Sequence, residues 1–218
     1  MTAVLRRLSY VYKKPRLVPD AVKLEVQELF VKNYKKLNKN KDKVVLFMDA
    51  IHPQYQPISA HSWIRCGQEM PVKTNNSRKR LNIHGAIEIN SLTPVIRFEN
   101  TVNTSSTIKL LDKIEDTFPH AKSITIICDN ATYYRAKAVK EHIKDSRIKL
   151  LFIPACSPNL NLIEWLWKFF KKQILYNKYY SCFGMYEDAC HDFFQNLDWW
   201  AVQLRPLLTE NFEIIRHY

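Results

Sequence analysis

Residues 123–172 read SITIICDNATYYRAKAVKEHIKDSRIKLLFIPACSPNLNLIEWLWKFFKK, and their pattern decides the fold. Ser123–Cys128 is an apolar-rich run ending at Asp129, as expected of a buried strand. A helix is predicted over 133–144, then a strand over 149–153, then a loop marked by Pro154 and Pro158. A longer helix over 162–176 closes the stretch. Its residues Ile163, Leu166, Trp167, Phe170 and Ile174 recur at helical spacing and form one apolar stripe.

Working outward, Val44 to Met48 is another apolar run, ending at Asp49. Residues 50–80 are rich in turn formers, and strands are predicted over 81–89 and 94–98. Thr104 or Ser105 is expected to cap a helix reaching Phe118, with Ile108, Leu111 and Ile114 facing inward. Apolar spacing predicts a helix over 21–38, a short helical piece at 4–8, and two further helices from Phe183 onward. Three consecutive strands followed by alternating helix and strand predict an α/β fold with a mixed sheet. The expected division is a basic arm over 1–43, a central domain over 44–180 and a helical extension over 181–218.

The chain of 218 residues is long enough to bury a core without disulfide or zinc staples. Its three glycines, Gly67, Gly85 and Gly184, are scattered, which excludes a Walker loop and a dinucleotide fingerprint. Five cysteines without a CxxC pair argue against a zinc ribbon or a secreted disulfide framework. No apolar run reaches membrane-spanning length and no signal peptide is visible, so a cytosolic or nuclear location without membrane contact is expected.

The net charge of +12 is unevenly spread. Residues 1–43 carry 12 Lys or Arg against 4 Asp or Glu, while the remainder is nearly balanced. Such an arm suits a polyanion partner, most simply nucleic acid, although a solubilising segment has the same composition.

Asp49 and Asp129 occupy equivalent places at the ends of buried strands, where a rigid element holds a group at the sheet edge. Glu164 opens the long helix. Singly, each acid has a plain structural explanation: Asp129-Asn130 is good turn chemistry, and Glu164 could complete a capping box with Asn161. Together they suggest a site for divalent cations. Three carboxylates about 4 Å apart repel by some kcal/mol at an effective dielectric near 20, and hard oxygen ligands favour Mg²⁺ or Mn²⁺. Glu164, Lys168, Lys171, Lys172 and Leu175 mark a second face of the same helix, matching a metal site beside a phosphate-tracking surface. An exposed face with one Glu-to-Lys pair would look the same. Trp165 and Trp167 are expected in the core.

Asp129 and Glu164 have 34 residues between them, and the phrase SPNLNLIEWLW at 157–167 closely resembles the signature of the mariner-like DDE transposases, in their bacterial insertion-sequence branch. VVLFMDAIHPQ around Asp49, RKRLNIHGAI at 78–87, ICDNATYYRAKAV at 127–139 and YKKPRLVP at 12–19 resemble the same family. The likeness implies an RNase H-like fold: a five-stranded mixed sheet flanked by helices. Asp49 would lie on the first strand, Asp129 just after the fourth, and Glu164 on a helix near both. These three would be catalytic and would bind two Mg²⁺ ions, with Mn²⁺ a possible substitute, for cleavage and strand transfer at transposable-element ends. The implied partners are DNA, both inverted-repeat ends and target, and a second copy in a homodimer. Arg78, Lys79, Arg80, Lys168, Lys171, Lys172, Lys13, Lys14 and Arg16 are the candidate DNA contacts. Residues 50–80, with Trp63 and Gly67, would form a hairpin clamping a partner or DNA.

The chain also departs from the family pattern. Ala50 stands where many relatives carry an acid, Tyr134 where His is frequent, and Leu162 where Pro is frequent. His52 is expected to be structural or to contact phosphate. Only the apparent last helix of a helix-turn-helix region precedes the link, so a separate polypeptide supplying the missing helices, a frameshift product and a truncated remnant are all compatible. A nucleoid-associated protein of the bacterial cytoplasm is expected. The alternatives are an RNase H-like nuclease acting on hybrids or junctions, and a non-catalytic DNA-binding remnant.

Overall fold

The computed structural model describes residues 2–12, 23–37, 43–212 and 214. Two helices come first, α1 (Thr2–Arg7) and α2 (Leu24–Leu37). Strands β1 (Lys43–Ile51), β2 (Asn82–Glu88) and β3 (Pro94–Glu99) follow, then α3 (Thr104–Thr117), β4 (Ser123–Cys128), α4 (Lys137–His142) and β5 (Ile148–Phe152). Helices α5 (Ile163–Ile174), α6 (Phe183–Gln195) and α7 (Ala201–Leu204) come last among the described residues. The five strands form one mixed sheet in the order β3-β2-β1-β4-β5. β1, β2 and β3 pair antiparallel, whereas β4 and β5 run parallel to β1.

Residue parity in the strands sorts the core into two layers. Leu46 and Met48 of β1 face one side, where they pack with Leu110, Leu111 and Ile114 of α3. Val45 and Phe47 face the other, with Leu166, Trp167 and Phe170 of α5 and Phe193 and Phe194 of α6. Side chains alternate across a strand, so Asp49 continues the Val45 and Phe47 row toward α5. Ile127 lies in that same layer, so Asp129, two residues on, continues its row. β1 and β4 are adjacent, parallel and reached from opposite directions along the sheet, so their carboxyl ends form the crevice where ligands of open α/β sheets bind.

Three local expectations need correction. The predicted helix over 133–144 survives only as α4. Asp129 Oδ1 accepts the Ala131 N–H, and turn bonds from Tyr134 to Ala131 and from Arg135 to Thr132 occupy the preceding residues. Helix α3 is capped by Asn103 rather than by Thr104 or Ser105: Asn103 Oδ1 accepts from Ser106 N and Ser106 Oγ accepts from Asn103 N, a reciprocal box. Residues 50–80 close hairpin-like at their base, with Tyr55 N bonded to Lys79 O and Leu81 N to Pro53 O, and run irregularly beyond it.

Gly85 sits opposite Asp49 on one side and Ile96 on the other. A Cβ there would collide with Ile96 Cδ1 and come 3.0 Å from Trp167 Cη2. The bare backbone is therefore what lets the Trp167 indole lie over β2. Gly85→Val should destabilise the fold by about 1–3 kcal/mol, the usual cost of overpacking a core. Chemical denaturation measures this, and wild-type stability would contradict it.

Candidate active site

Asp49 near the end of β1, Asp129 immediately after β4 and Glu164 in the first turn of α5 line one cavity of about 330 Å³. Its remaining wall comes from the loop after β5, including Pro154, Cys156, Ser157 and Pro158, and from Asn130 and Asn161. The structure thus brings together all three acids singled out in the sequence. Among the described residues, no three His, Cys, Asp or Glu side chains form a ready-made metal cage. The three acids nevertheless line the same cavity, where like charges repel unless a cation offsets them.

Two bolts join α5 to β1 on either side of Glu164. Trp167 Nε1 donates to Asp49 Oδ2 at 3.1 Å, and Asn161 Nδ2 donates to the Met48 carbonyl at 3.3 Å. Asn161 therefore spends its side chain on β1, and α5 has no side-chain cap; the capping-box explanation of Glu164 does not hold. On the other flank, Asn130 Nδ2 donates to Ile153 O at 2.8 Å, and Arg135 donates to Asn130 Oδ1 while its guanidinium lies over Phe152. These contacts tie the Asp129 turn to the end of β5. Asp129 keeps one oxygen on Ala131 N, at 3.0 Å, as the turn explanation anticipated.

Burial pushes the Asp49 carboxyl up to about 7. The Ala50 N–H opposes the shift, the charges of Glu164 and Asp129 add to it, and the Trp167 N–H opposes it again. Proximity of the other two acids is thus felt at Asp49. A positive ion in the cavity would reverse this balance and hold Asp49 ionised. The donor set fits a hard divalent cation: three carboxylates supply only oxygen.

Trp167 is the functional residue that pattern reading missed. It is buried as expected, but within an apolar stripe nothing marks its N–H as an orienting donor. Trp167→Phe removes that donor and leaves Asp49 Oδ2 short of a partner. It should lower stability by about 1–3 kcal/mol and weaken divalent-ion binding about 10–100-fold, read by denaturation and by Mn²⁺ titration. Unchanged Mn²⁺ affinity would contradict the orienting role.

The basic candidates divide. Arg78, Lys79 and Arg80 are exposed, with Lys79 over the Phe183 ring at 5.4 Å. Lys168 and Lys172 are exposed on α5, and Lys168 rests 4.1 Å over Trp165. Trp165 is 40% exposed, not core, because it lies off the buried stripe. Leu175, expected on the lysine face, is buried at the end of α5. Lys171 and His52 line a separate small cavity with Gln54 and Ile58, and His52 Nδ1 lies 2.7 Å from Asn82 Oδ1, so His52 is outside the acid-lined cavity. Lys13, Lys14 and Arg16 lie outside the described residues. His84, from the RKRLNIHGAI stretch, is buried on the opposite side of the sheet and bonded to the Tyr134 hydroxyl at 2.9 Å. All five cysteines are free, and among the described residues no helix is long and apolar enough to cross a membrane.

A family model described as DDE superfamily endonuclease matches residues 44–185. An insertion element IS630 protein of 39 kDa from Shigella sonnei is 24% identical over 144 residues. That match takes in 66% of this chain and 41% of the relative, so the chain spans about two fifths of its length. A pre-cleavage Mos1 transpososome superimposes with a TM-score of 0.69 at 15% identity, over 99% of this chain and 71% of the other. The mariner Mos1 paired-end complex with Mg gives 0.65 at 18% identity, over 95% and 68%. The catalytic domain of Mos1 mariner transposase gives 0.57 at 13% identity, over 88% and 94%. The mixed five-stranded sheet with flanking helices is accordingly the RNase H-like fold of those structures.

Proposed function

The chain belongs to the DDE superfamily endonucleases, and on that premise we propose that it is the catalytic unit of a mariner-like transposase, cleaving DNA at element ends and transferring the strand. The observation that supports this reading is the single cavity shared by Asp49, Asp129 and Glu164. These three would hold two divalent cations, Mg²⁺ with Mn²⁺ as substitute. When bound, the ions would activate a water or a 3′-hydroxyl and stabilise the leaving oxygen of the phosphodiester. The protein's own part is orientation. Trp167 fixes one oxygen of Asp49, the Asp129 turn fixes one oxygen of Asp129, and Asn161 holds the start of α5, which carries Glu164. Arg78, Lys79, Arg80, Lys168, Lys171 and Lys172, with Lys13, Lys14 and Arg16 of the arm, would contact DNA phosphates.

The protein would act in the bacterial cytoplasm on nucleoid DNA, as a homodimer. The division into an arm over 1–43, a catalytic domain over 44–180 and an extension over 181–218 belongs to the same proposal. Purified protein incubated with a labelled inverted-repeat duplex should give 3′-hydroxyl nicks with Mg²⁺ or Mn²⁺ and none with EDTA. Preference for RNA–DNA hybrid or junction substrates over plain duplex would replace this reading with a nuclease, and binding without cleavage under all metal conditions would replace it with a non-catalytic remnant.

A further inference from the structure

A cavity of about 430 Å³, larger than the acid-lined one, lies at the open edge of the sheet. Among the described residues β3 has no further strand on its outer side, and the cavity is walled there by α3 and by α6. Its polar lining is Arg97, Lys113, His191 and Gln195, its floor includes Ile96 and Phe98, and no carboxylate lines it. Lys113 Nζ donates to the Ile96 carbonyl at 2.9 Å. An ammonium has three donors, so this bond anchors the charge at the cavity and leaves two donors for a ligand. Arg97 Nε donates to Glu99 at 2.5 Å, which fixes the guanidinium while its terminal nitrogens stay available to a second acceptor. His191 stacks on Phe98, with centroids 3.7 Å apart and planes 25° apart, so its ring orientation is set as well.

We infer that this cleft takes a phosphate of the DNA backbone, as a contact separate from the acid-lined cavity. The inference rests on the proposed action on DNA. An anchored ammonium, a guanidinium whose Nε is paired with Glu99, and an imidazole form a donor set for a phosphate in a cavity that no carboxylate lines. An added peptide strand fits poorly, because the β3 edge is blunted: Pro94 has no N–H, and Lys113 already occupies the Ile96 carbonyl. Ile96 and Asp49 both oppose Gly85, but the buried Trp167 indole lies over β2 between them, so the cleft is a contact at the sheet edge and not a continuation of the acid-lined cavity.

The test compares wild type with Lys113→Ala, His191→Ala and Lys113→Glu, using fluorescence anisotropy on a labelled duplex across a salt series, and Mn²⁺-dependent nicking at saturating DNA. Lys113 is exposed, so its variants should fold; melting curves check His191→Ala. Binding should weaken about five- to tenfold, the log–log salt slope should fall by about 1, and nicking at saturation should be unchanged. Wild-type affinity and slope in the Lys113 variants, or no duplex binding by the wild type, would overturn the inference. Weakened binding by these variants in a protein that never nicks DNA would retain the cleft and overturn the proposed activity; normal nicking with unaltered binding would do the reverse. Titration with inorganic phosphate and a mononucleotide separates the sources: tight mononucleotide binding lost in Lys113→Ala would overturn the assignment to DNA.

Discussion

Asp129→Ala is expected to abolish metal-dependent nicking, by about 10²–10³-fold or more, the loss typical when one group stabilising transition-state charge is removed. Duplex binding in EDTA should be unaffected. Asp129 has two duties: one oxygen accepts the Ala131 N–H and shapes the turn, while the carboxylate faces the shared cavity. Asp129→Asn separates them, because an amide oxygen can still accept from Ala131 but cannot supply the charge. Both variants should be inactive, and Asn should melt close to wild type while Ala loses about 1 kcal/mol with the turn bond. Activity in Asp129→Asn comparable to wild type would leave Asp129 a turn former only.

The second large effect has opposite signs on stability and activity. The folded-state pKa of Asp49 is about 7 against an ordinary 3.8, so the folded protein holds this proton more tightly than the unfolded chain. The stabilisation from that proton is complete below about pH 3.8 and is lost as pH rises through 7. Asp49→Asn mimics the protonated acid, and its Oδ1 can still accept from Trp167. Without divalent ions, the variant should therefore gain in melting temperature relative to wild type as pH is raised from about 5 to 8. It should nevertheless be inactive, and Mn²⁺ should raise the melting temperature of wild type alone. A variant that melts below wild type at pH 8 in EDTA would show that the buried charge is compensated within the protein.

The sheet and the three acids were legible because they depend on short-range pattern. Continuous apolar runs mark β1 and β4, each ending at an aspartate, and one apolar stripe marks α5 with Glu164 at its start. Contacts made by residues with two uses were not. Trp167 reads as core, and its bond to Asp49 depends on the packing of α5 across β1. Gly85 gives no signal until β2 is paired on both sides and covered by that indole. The α4 boundary was missed because an aspartate side chain diverts residues that would otherwise be helical. The β3-edge cleft draws on residues from three elements with no shared motif, so only the folded edge assembles it.

The claim on which the rest depends is that Asp49, Asp129 and Glu164 bind divalent metal together. Anomalous diffraction from crystals of the protein soaked in MnCl₂ tests it most directly. The account predicts manganese peaks in the cavity within coordination distance of all three carboxylates taken together. Manganese found only elsewhere, or a cavity that stays free of metal while the crystals are saturated with Mn²⁺, would contradict it.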